Sequence, residues 1–384
     1  MTATTTGPTG PTGNELLGSG YRADLAAVRR LRAQHAATAD PASPTAACEA
    51  LTLTHREITL TGARPEELLE LGTAIDRALD RFPAWPDLAL LRASLALAVH
   101  RCDLARAALA AVPGLAEVPP GRVLAADLAQ FDGDYAGARA GYLAAEREEP
   151  SWETSARLAA LARATGELEE AEDRYVLAED DLTVKQLRAF AWIRVQRADL
   201  ARALAEYRAA TALLDDADRV YPGWWYVGAH RAALDLAHGR PAAAAAGYRQ
   251  VLTEVDRPEF REALGTALAA CGHPAEAVRH HRAALTEYQA SAARGEVHYL
   301  HHLAAYYAVI QPDPAAAVEI ACRDVAVRRN GTTLSLLAWC LHRAGRPAEA
   351  GRAVRDALAL GARDPELLAR AWQIEHETGR SRRA

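Results

Sequence analysis

The sequence predicts an all-α protein built from repeated helical hairpins. The main evidence is a set of five glycines at intervals of 33, 73, 33 and 73 residues, each with an alanine five positions later: Gly133, Gly166, Gly239, Gly272 and Gly345. Small residues also recur seven positions before each glycine, and small or β-branched residues recur twelve positions after it. Self-similarity at this period indicates stacked supersecondary units, whose default function is to present an extended binding surface.

The spacing of apolar residues supports helices throughout the chain. From about residue 21 almost to the end they lie three and four positions apart, and valine and isoleucine never alternate as in a strand. Residues 1 to about 14 are mostly Thr, Gly and Pro, a composition that buries little and breaks helices. We therefore expect a disordered tail over 1–20, a single solenoid over 21–376 with its core repeats at 86–361, and a frayed basic tail over 377–384.

Composition and charge exclude several classes of function. The formal net charge is −6, with acidic and basic residues interspersed, so the chain lacks a basic stripe and we expect no nucleic-acid partner. The amino terminus does not resemble a secretory signal, and no apolar stretch is long enough to span a bilayer. We expect a cytoplasmic protein with no membrane partner, and five free cysteines because no CxxC pair occurs.

The unit at 121–150 shows how one hairpin is encoded. Asp132-Gly133 ends a first helix, because glycine readily takes the left-handed conformation of a helix carboxyl end. The second helix begins at once, and its inner face carries residues at spacings of three and four: Tyr135, Ala138, Tyr142 and Ala145. Small residues at 126 and 138 allow the two helices to approach closely.

This pattern resembles the tetratricopeptide repeat (TPR). A small residue in the first helix, a turn glycine, an alanine and an aromatic in the second helix, and a late proline correspond to Ala126, Gly133, Ala138, Tyr142 and Pro150. The pattern recurs around the other four glycines, with Gly265 in the small position of one unit. The resemblance implies a right-handed α-solenoid of about nine helix-turn-helix hairpins, in which the first helix of each hairpin lines a concave groove for a partner segment.

The two 73-residue gaps each contain one degenerate unit. In the first gap, Tyr207 and Ala210 repeat the second-helix pattern, with Ala198 in the place of the glycine, and Pro312, Pro314 and Ala317 do so more loosely in the second. A further unit surrounds Cys102, and 43–82 is a divergent first pair. Longer connections are expected near 215–223 and 286–297.

The candidate binding residues lie mainly on the predicted first helices and are mostly aromatic, because aromatic side chains often supply binding hot spots. They are Trp192, Trp225, Tyr226, Tyr299, His302, Tyr306, Trp339, His342 and Arg343. The cluster Trp224-Trp225-Tyr226 is the predicted surface anchor. The alternative is that these aromatic residues pack between hairpins, the commonest fate of Trp and Tyr on such helices. TPR proteins that grip a terminal carboxylate use lysine and asparagine, and this chain has one lysine.

Histidines are concentrated in the final third of the chain. His298, His301 and His302 are spaced to share one helix face, where a transition metal could be bound with help from His280 or His281. The structural alternative is that His281 packs as the aromatic residue of its repeat and that His301 bridges to a carboxylate or to the backbone. A third interpretation places His302 and Tyr306 in contact with a bound peptide or small molecule.

The sequence carries no catalytic signature. It lacks a GxSxG elbow, a phosphate-binding GxxxxGK[ST] loop and a GxGxxG after a strand. We therefore expect a non-catalytic scaffold or adaptor that needs no cofactor and binds a protein or peptide segment in the concave groove. The alternative is a TPR protein that binds a metal or small ligand through its His-rich carboxyl-terminal repeats.

Overall fold

The computed structural model describes residues 20–40 and 42–381, excluding the side chains of 378–381, so most of the two expected tails lies outside it. The described residues form twenty α-helices and one short 3₁₀ turn, with no strand. The helices are α1 (Tyr21–Thr38), α2 (Pro44–Leu60), α3 (Pro65–Arg81), α4 (Pro86–Ala98), α5 (Cys102–Ala110), α6 (Pro119–Phe131), α7 (Tyr135–Glu148), α8 (Trp152–Thr165), α9 (Leu168–Asp180), α10 (Leu187–Ala203), α11 (Tyr207–Val220), α12 (Trp225–Ala237), α13 (Pro241–Glu254), α14 (Pro258–Ala270), α15 (Pro274–Ala293), α16 (Leu300–Val309), α17 (Pro314–Val327), α18 (Gly331–Arg343), α19 (Pro347–Ala359) and α20 (Pro365–Ser381).

The helices pair as the repeat pattern predicts. Within the described part of the chain, α2–α3 through α18–α19 form nine consecutive hairpins, with α1 before the first hairpin and α20 after the last. The prediction of an all-α repeat array of about nine hairpins is therefore confirmed. No helix in the described ranges is both long and apolar enough to cross a membrane.

Small and aromatic residues hold each hairpin together. The small first-helix residues at 126, 159, 232 and 338 are at most 3% exposed, as are the second-helix alanines at 138, 171, 244, 277 and 350. Tyr142, Tyr175 and Tyr248 fill the space beside these close contacts and are fully buried. Burial of each of these rings contributes roughly 2 kcal/mol of apolar stabilisation.

The turn of the degenerate 187–220 unit differs from the prediction. Helix α10 continues to Ala203, so Ala198 lies inside a helix and does not replace the turn glycine. The turn residue is Ala205, whose φ of 60° is left-handed and which stands five positions before the buried Ala210. His100 occupies the same position in the α4–α5 turn, also with φ of 60°. In addition, α15 extends to Ala293, so most of the connection expected at 286–297 is helical.

The array curves with its first helices inside. First helices of neighbouring hairpins contact each other directly, as in α4–α6, α10–α12, α16–α18 and α18–α20. The described second helices make no comparably extensive contacts with one another. Because the first helices are closer together, they line the inner face of the curve, and α20 occupies the place of a tenth first helix.

Successive turns of this superhelix touch each other. Several hydrogen bonds join residues that are 195–199 positions apart, which places five to six hairpins in one superhelical turn. Tyr221 donates to Asp24 at 2.7 Å, and the Gly331 N–H donates to the hydroxyl of Tyr135 at 2.8 Å. At the turn glycine Gly133, an added Cβ would lie 2.5 Å from the carbonyl oxygen of the next superhelical turn. This glycine therefore permits both the left-handed turn and the close contact.

A buried polar network crosses one of these contacts. Arg328 donates to Asp324 Oδ1 at 3.0 Å and to His100 Nε2 at 3.1 Å, and His301 Nδ1 lies 3.2 Å from Asp324 Oδ2. Burial lowers the pKa of His100 well below its ordinary value, and the nearby Arg328 guanidinium adds to this effect. The neutral ring can then accept a hydrogen bond from Arg328.

Tyr135→Phe should destabilise the protein by about 1–2 kcal/mol, because the buried Gly331 N–H would lose its acceptor. The measurement is urea unfolding monitored by circular dichroism. Tyr207→Phe is the matched control, since this half-buried ring stacks on His238 away from the contacts between superhelical turns. Equal losses in the two variants would contradict a specific role for the Tyr135 hydroxyl.

Ala205→Gly should stabilise the protein by about 0.5–1 kcal/mol, because glycine adopts the left-handed conformation without the strain of a Cβ. Gly345→Ala should destabilise it by a similar amount, since φ is 70° and no atom crowds the added Cβ. Thermal unfolding of the two variants checks both signs. A shift in the same direction for both would show that φ does not control these turns.

Candidate partner-binding site

The inner face of α14 and α16, together with the neighbouring α15, brings several polar and aromatic side chains together. Glu262 lies on α14 and accepts a hydrogen bond at 2.9 Å from the hydroxyl of Tyr288 on α15. The ring of Tyr288 is fully buried and stacks on His302 of α16, with ring centroids 5.7 Å apart and planes 17° apart. Glu262 and His302 are both half-buried, so they form the partly accessible part of this site.

The surroundings of Glu262 disfavour its charged form. Burial raises its pKa to about 7, although the hydrogen bond from Tyr288 works in the opposite direction, and the nearby charge of Glu259 raises the pKa further. No cationic side chain among the described residues pairs with this carboxylate. Glu262 is therefore ionised in only about half of the molecules at neutral pH.

His302 adds no positive charge to the site at neutral pH. Burial lowers its pKa to about 4, even though the Glu259 carboxylate favours the protonated ring. The residue is therefore a neutral, flat side chain beside the Glu262 carboxyl group.

A partly buried ion pair connects this site to the preceding superhelical turn. Arg257 pairs with Glu259 and also donates to the carbonyl oxygen of Gly62 at 2.9 Å. Glu259 lies one helical turn before Glu262 on the inner face. Because Arg257 contacts both Glu259 and Gly62, it fixes the position of α14 relative to the α2–α3 loop.

The predicted residues at the end of the array form a second, more accessible group. Trp339 and His342 on α18 have ring centroids 5.6 Å apart, and the guanidinium of Arg343 lies 6.0 Å from the centre of the Trp339 ring. His342 Nε2 is 2.6 Å from a carboxylate oxygen of Glu377 on α20. Trp339 and His342 are half-buried and Arg343 is exposed, so this group can contact a ligand.

The remaining predicted residues are packed within the array. Trp192 lies edge-on to Trp152 of the preceding first helix, and Tyr306 lies edge-on to His281. Tyr299 is buried against Tyr288, and Tyr226 is half-buried and accepts a hydrogen bond from Gln196 at 2.9 Å. These contacts agree with the alternative of packing between helices.

Trp225 is not the predicted surface anchor. It is 8% exposed, and its indole N–H donates to the carbonyl oxygen of Leu60 at 2.8 Å, across the contact between two superhelical turns. The neighbouring Trp224 is equally buried. The aromatic cluster that stood out in the sequence therefore stabilises the fold.

The histidine cluster does not form a metal site in the structure. Helix α16 begins at Leu300, so His298 precedes it and lies 3.2 Å from Ser291. His301 approaches Asp324, as the bridging alternative expected, whereas His302 stacks on Tyr288. An added Cβ on Gly265 would lie 2.3 Å from His281, which shows that this histidine packs at the aromatic position of its repeat. Among the described residues, no three His, Cys, Asp or Glu side chains are placed to share a metal ion.

Sequence reasoning missed Tyr288 and Arg257. Tyr288 follows His281 by seven residues, two helical turns later on the same side of α15, but it fell within the stretch expected to be a connection. Arg257 immediately precedes α14, and its role depends on Gly62, a contact between residues 195 positions apart. The spacing within one repeat carries no signal for such a contact.

Comparisons with known proteins support the fold. No protein-family profile matches the chain, and no curated protein is similar to it in sequence. A human IFIT1 dimer with m7Gppp-AAAA is similar with a TM-score of 0.51 and 15% identity, over 89% of this chain and 78% of that chain. A monomeric mutant of IFIT1 with m7Gppp-AAAA gives a TM-score of 0.50 at 14% identity, over 88% and 76%. A TPR protein from Parabacteroides merdae gives 0.42 at 17% identity, over 62% and 92%.

The similarity to the two IFIT1 structures, together with the twenty helices of the described residues, defines the class of the molecule. The chain has the fold of a TPR-like helical-repeat protein. At these levels of identity, the similarity concerns architecture alone.

Glu262→Gln should change how stability depends on pH. The pKa of Glu262 is higher in the folded protein than in the unfolded chain, so its contribution to stability is present below about pH 4.5 and is lost as the pH rises through about 7. Between pH 5 and 8, the free energy of unfolding of the wild type should fall relative to the variant by on the order of 2 kcal/mol. Urea unfolding at both pH values measures this difference, and a difference that stays constant with pH would contradict the assignment.

Proposed function

We propose that the protein is a non-catalytic interaction scaffold that binds an extended segment of a protein partner along the inner face of α14, α16 and α18. The observation that carries this proposal is the continuous inner position of two accessible groups, Glu262 with His302 and Trp339 with His342. Direct contacts between α16 and α18 place the groups on adjacent first helices. Half-buried aromatic and imidazole rings supply contact area with little conformational freedom to lose on binding.

Carboxylates on the inner face favour a protein segment over a nucleic acid, although the exposed Arg343 is a cation on the same face. Carboxylates of Asp127, Asp199 and Glu262 lie on the inner helices, and the guanidinium of Arg157 is already paired with Asp127 at 3.0 Å. Phosphate backbones are bound by unpaired lysine and arginine side chains. IFIT1 holds m7Gppp-AAAA in the similar solved structures, so RNA is the alternative ligand that an experiment must include.

The rigidity of the inner face also supports the proposed function. The carboxyl group of Glu262 and the ring of His302 both contact the buried Tyr288. The Arg257–Glu259 ion pair holds α14 in place. A surface held by buried contacts pays less ordering entropy when a ligand binds. The absence of a catalytic motif in the sequence is consistent with a binding role.

A random-peptide library selected on the full chain should yield sequences whose binding is weakened at least tenfold by Trp339→Ala, since truncating a central aromatic residue costs about 1.4 kcal/mol or more. Trp85→Ala is the matched control, because Trp85 is also half-buried but lies before α4, near the other end of the array. Dissociation constants are measured by fluorescence anisotropy.

The same assay should show no competition from an RNA oligonucleotide with a 5′ cap or triphosphate. Peptides that bind equally well to both tryptophan variants would overturn the proposed location. Competition by RNA that depends on Trp339 would instead favour a nucleic-acid ligand and overturn the proposed partner class.

A further inference from the structure

Carboxylates on the inner face are paired with cationic side chains at three places. Asp127 pairs with Arg157, Asp199 pairs with Arg202 at 3.2 Å, and Glu259 pairs with Arg257. Each pair compensates for the cost of removing a carboxylate from water. Glu262 departs from this pattern, because Tyr288 is its only hydrogen-bonding side-chain partner among the described residues.

The position of Glu262 is nevertheless well defined. The buried Tyr288 holds one carboxylate oxygen at 2.9 Å, and the ring of Tyr288 is itself fixed between Tyr299 and His302. The second oxygen of Glu262 is left for another donor. Four residues further along the same helix, Thr266 is exposed, so the inner surface is open beside the carboxyl group.

We infer that Glu262 binds the guanidinium group of an arginine side chain in the partner segment. This inference rests on the function proposed above, because it assumes a segment bound along the same inner face. It deepens that function by assigning a basic residue to the partner at the place where the inner face has an unpaired carboxylate.

Guanidinium fits this place better than the ammonium group of lysine. Its planar donors match the geometry of a carboxylate, and it is less strongly hydrated, so it enters a half-buried site at a lower desolvation cost. The neutral ring of His302 offers a flat surface and no opposing charge at neutral pH. Glu259 lies one helical turn away and contributes negative potential, although its own charge is offset by Arg257.

Binding of a cation should be coupled to the ionisation of Glu262. The groups that face this carboxyl group are Glu259 on its own helix, Tyr288 and His281 on α15, and Tyr306 and His302 on α16. Burial lowers the pKa of His302 to about 4, so this ring stays neutral between pH 6 and 8, and burial also lowers the pKa of His281. Glu262, with a pKa of about 7, is the carboxyl group of this set whose charge changes over that range.

The test uses acetyl-arginine amide as the probe and acetyl-citrulline amide as its uncharged counterpart. The full chain is labelled with ¹³C at the glutamate carboxyl groups, and the Glu262 signal is identified by its loss in Glu262→Gln. Acetyl-arginine amide should lower the pKa of Glu262 in a saturable manner, and its affinity should be about tenfold higher at pH 8 than at pH 6, in proportion to the ionised fraction. Acetyl-citrulline amide should produce neither effect.

Two variants complete the test. Glu262→Gln keeps an oxygen for the Tyr288 hydroxyl, so it should fold normally, and its affinity for the arginine probe should fall at least tenfold. Glu276→Gln is the control, because this carboxylate pairs with Arg249 at the start of α15 and is not part of the site. The arginine probe should bind this control as it binds the wild type.

Equal behaviour of the two probes, or unchanged binding of the arginine probe by Glu262→Gln, would overturn the inference. Such a result would leave the proposed function in place if selected peptides still bound in a Trp339-dependent manner. Failure of the peptide selection together with a positive probe titration would show instead that Glu262 binds guanidinium without a partner segment on this face.

Discussion

Contact between successive turns of the superhelix is the constraint on which the shape of the inner face depends. Stacking of hairpins alone sets a local curvature, because first helices of several successive hairpins contact each other, as α10 contacts α12 and α16 contacts α18. The hydrogen bonds between residues 195–199 positions apart fix the pitch as well. In most repeat arrays each unit contacts only its neighbours, whereas in this protein hairpins that are far apart in sequence also contact each other.

The candidate site combines rigidly held side chains with one carboxyl group whose charged form is unfavourable. The fully buried Tyr288 and the Arg257–Glu259 pair define where the inner face lies, and Glu262 holds a carboxyl group there without a cationic partner among the described residues. An array selected for stability alone would have an amide or a cationic partner at that position. Destabilising polar groups of this kind are a common feature of binding surfaces, where the ligand completes the missing interaction.

The local fold could be predicted from the sequence because each hairpin obeys local rules. Turn glycines, small residues at helix contacts and the buried tyrosines repeat at fixed spacing, so the roles that the sequence predicts for Gly133, Ala138 and Tyr142 agree with the structure. The aromatic residues were harder to interpret, since the same periodicity suits a ring in a groove and a ring between helices. Trp225 is buried because another superhelical turn covers it at Leu60, and no local pattern contains that information.

Arg257 gives the molecule a mechanical property that follows from its two acceptors. The same guanidinium holds Glu259 on the inner face and the Gly62 carbonyl of the preceding superhelical turn. Arg257 contacts Gly62 through Nη1 and Glu259 through Nη2, so a ligand that displaced this guanidinium would disturb both contacts, and by thermodynamic reciprocity, separation of the two superhelical turns would change the affinity for such a ligand. Tension applied along the axis of the superhelix would therefore change the affinity for such a ligand.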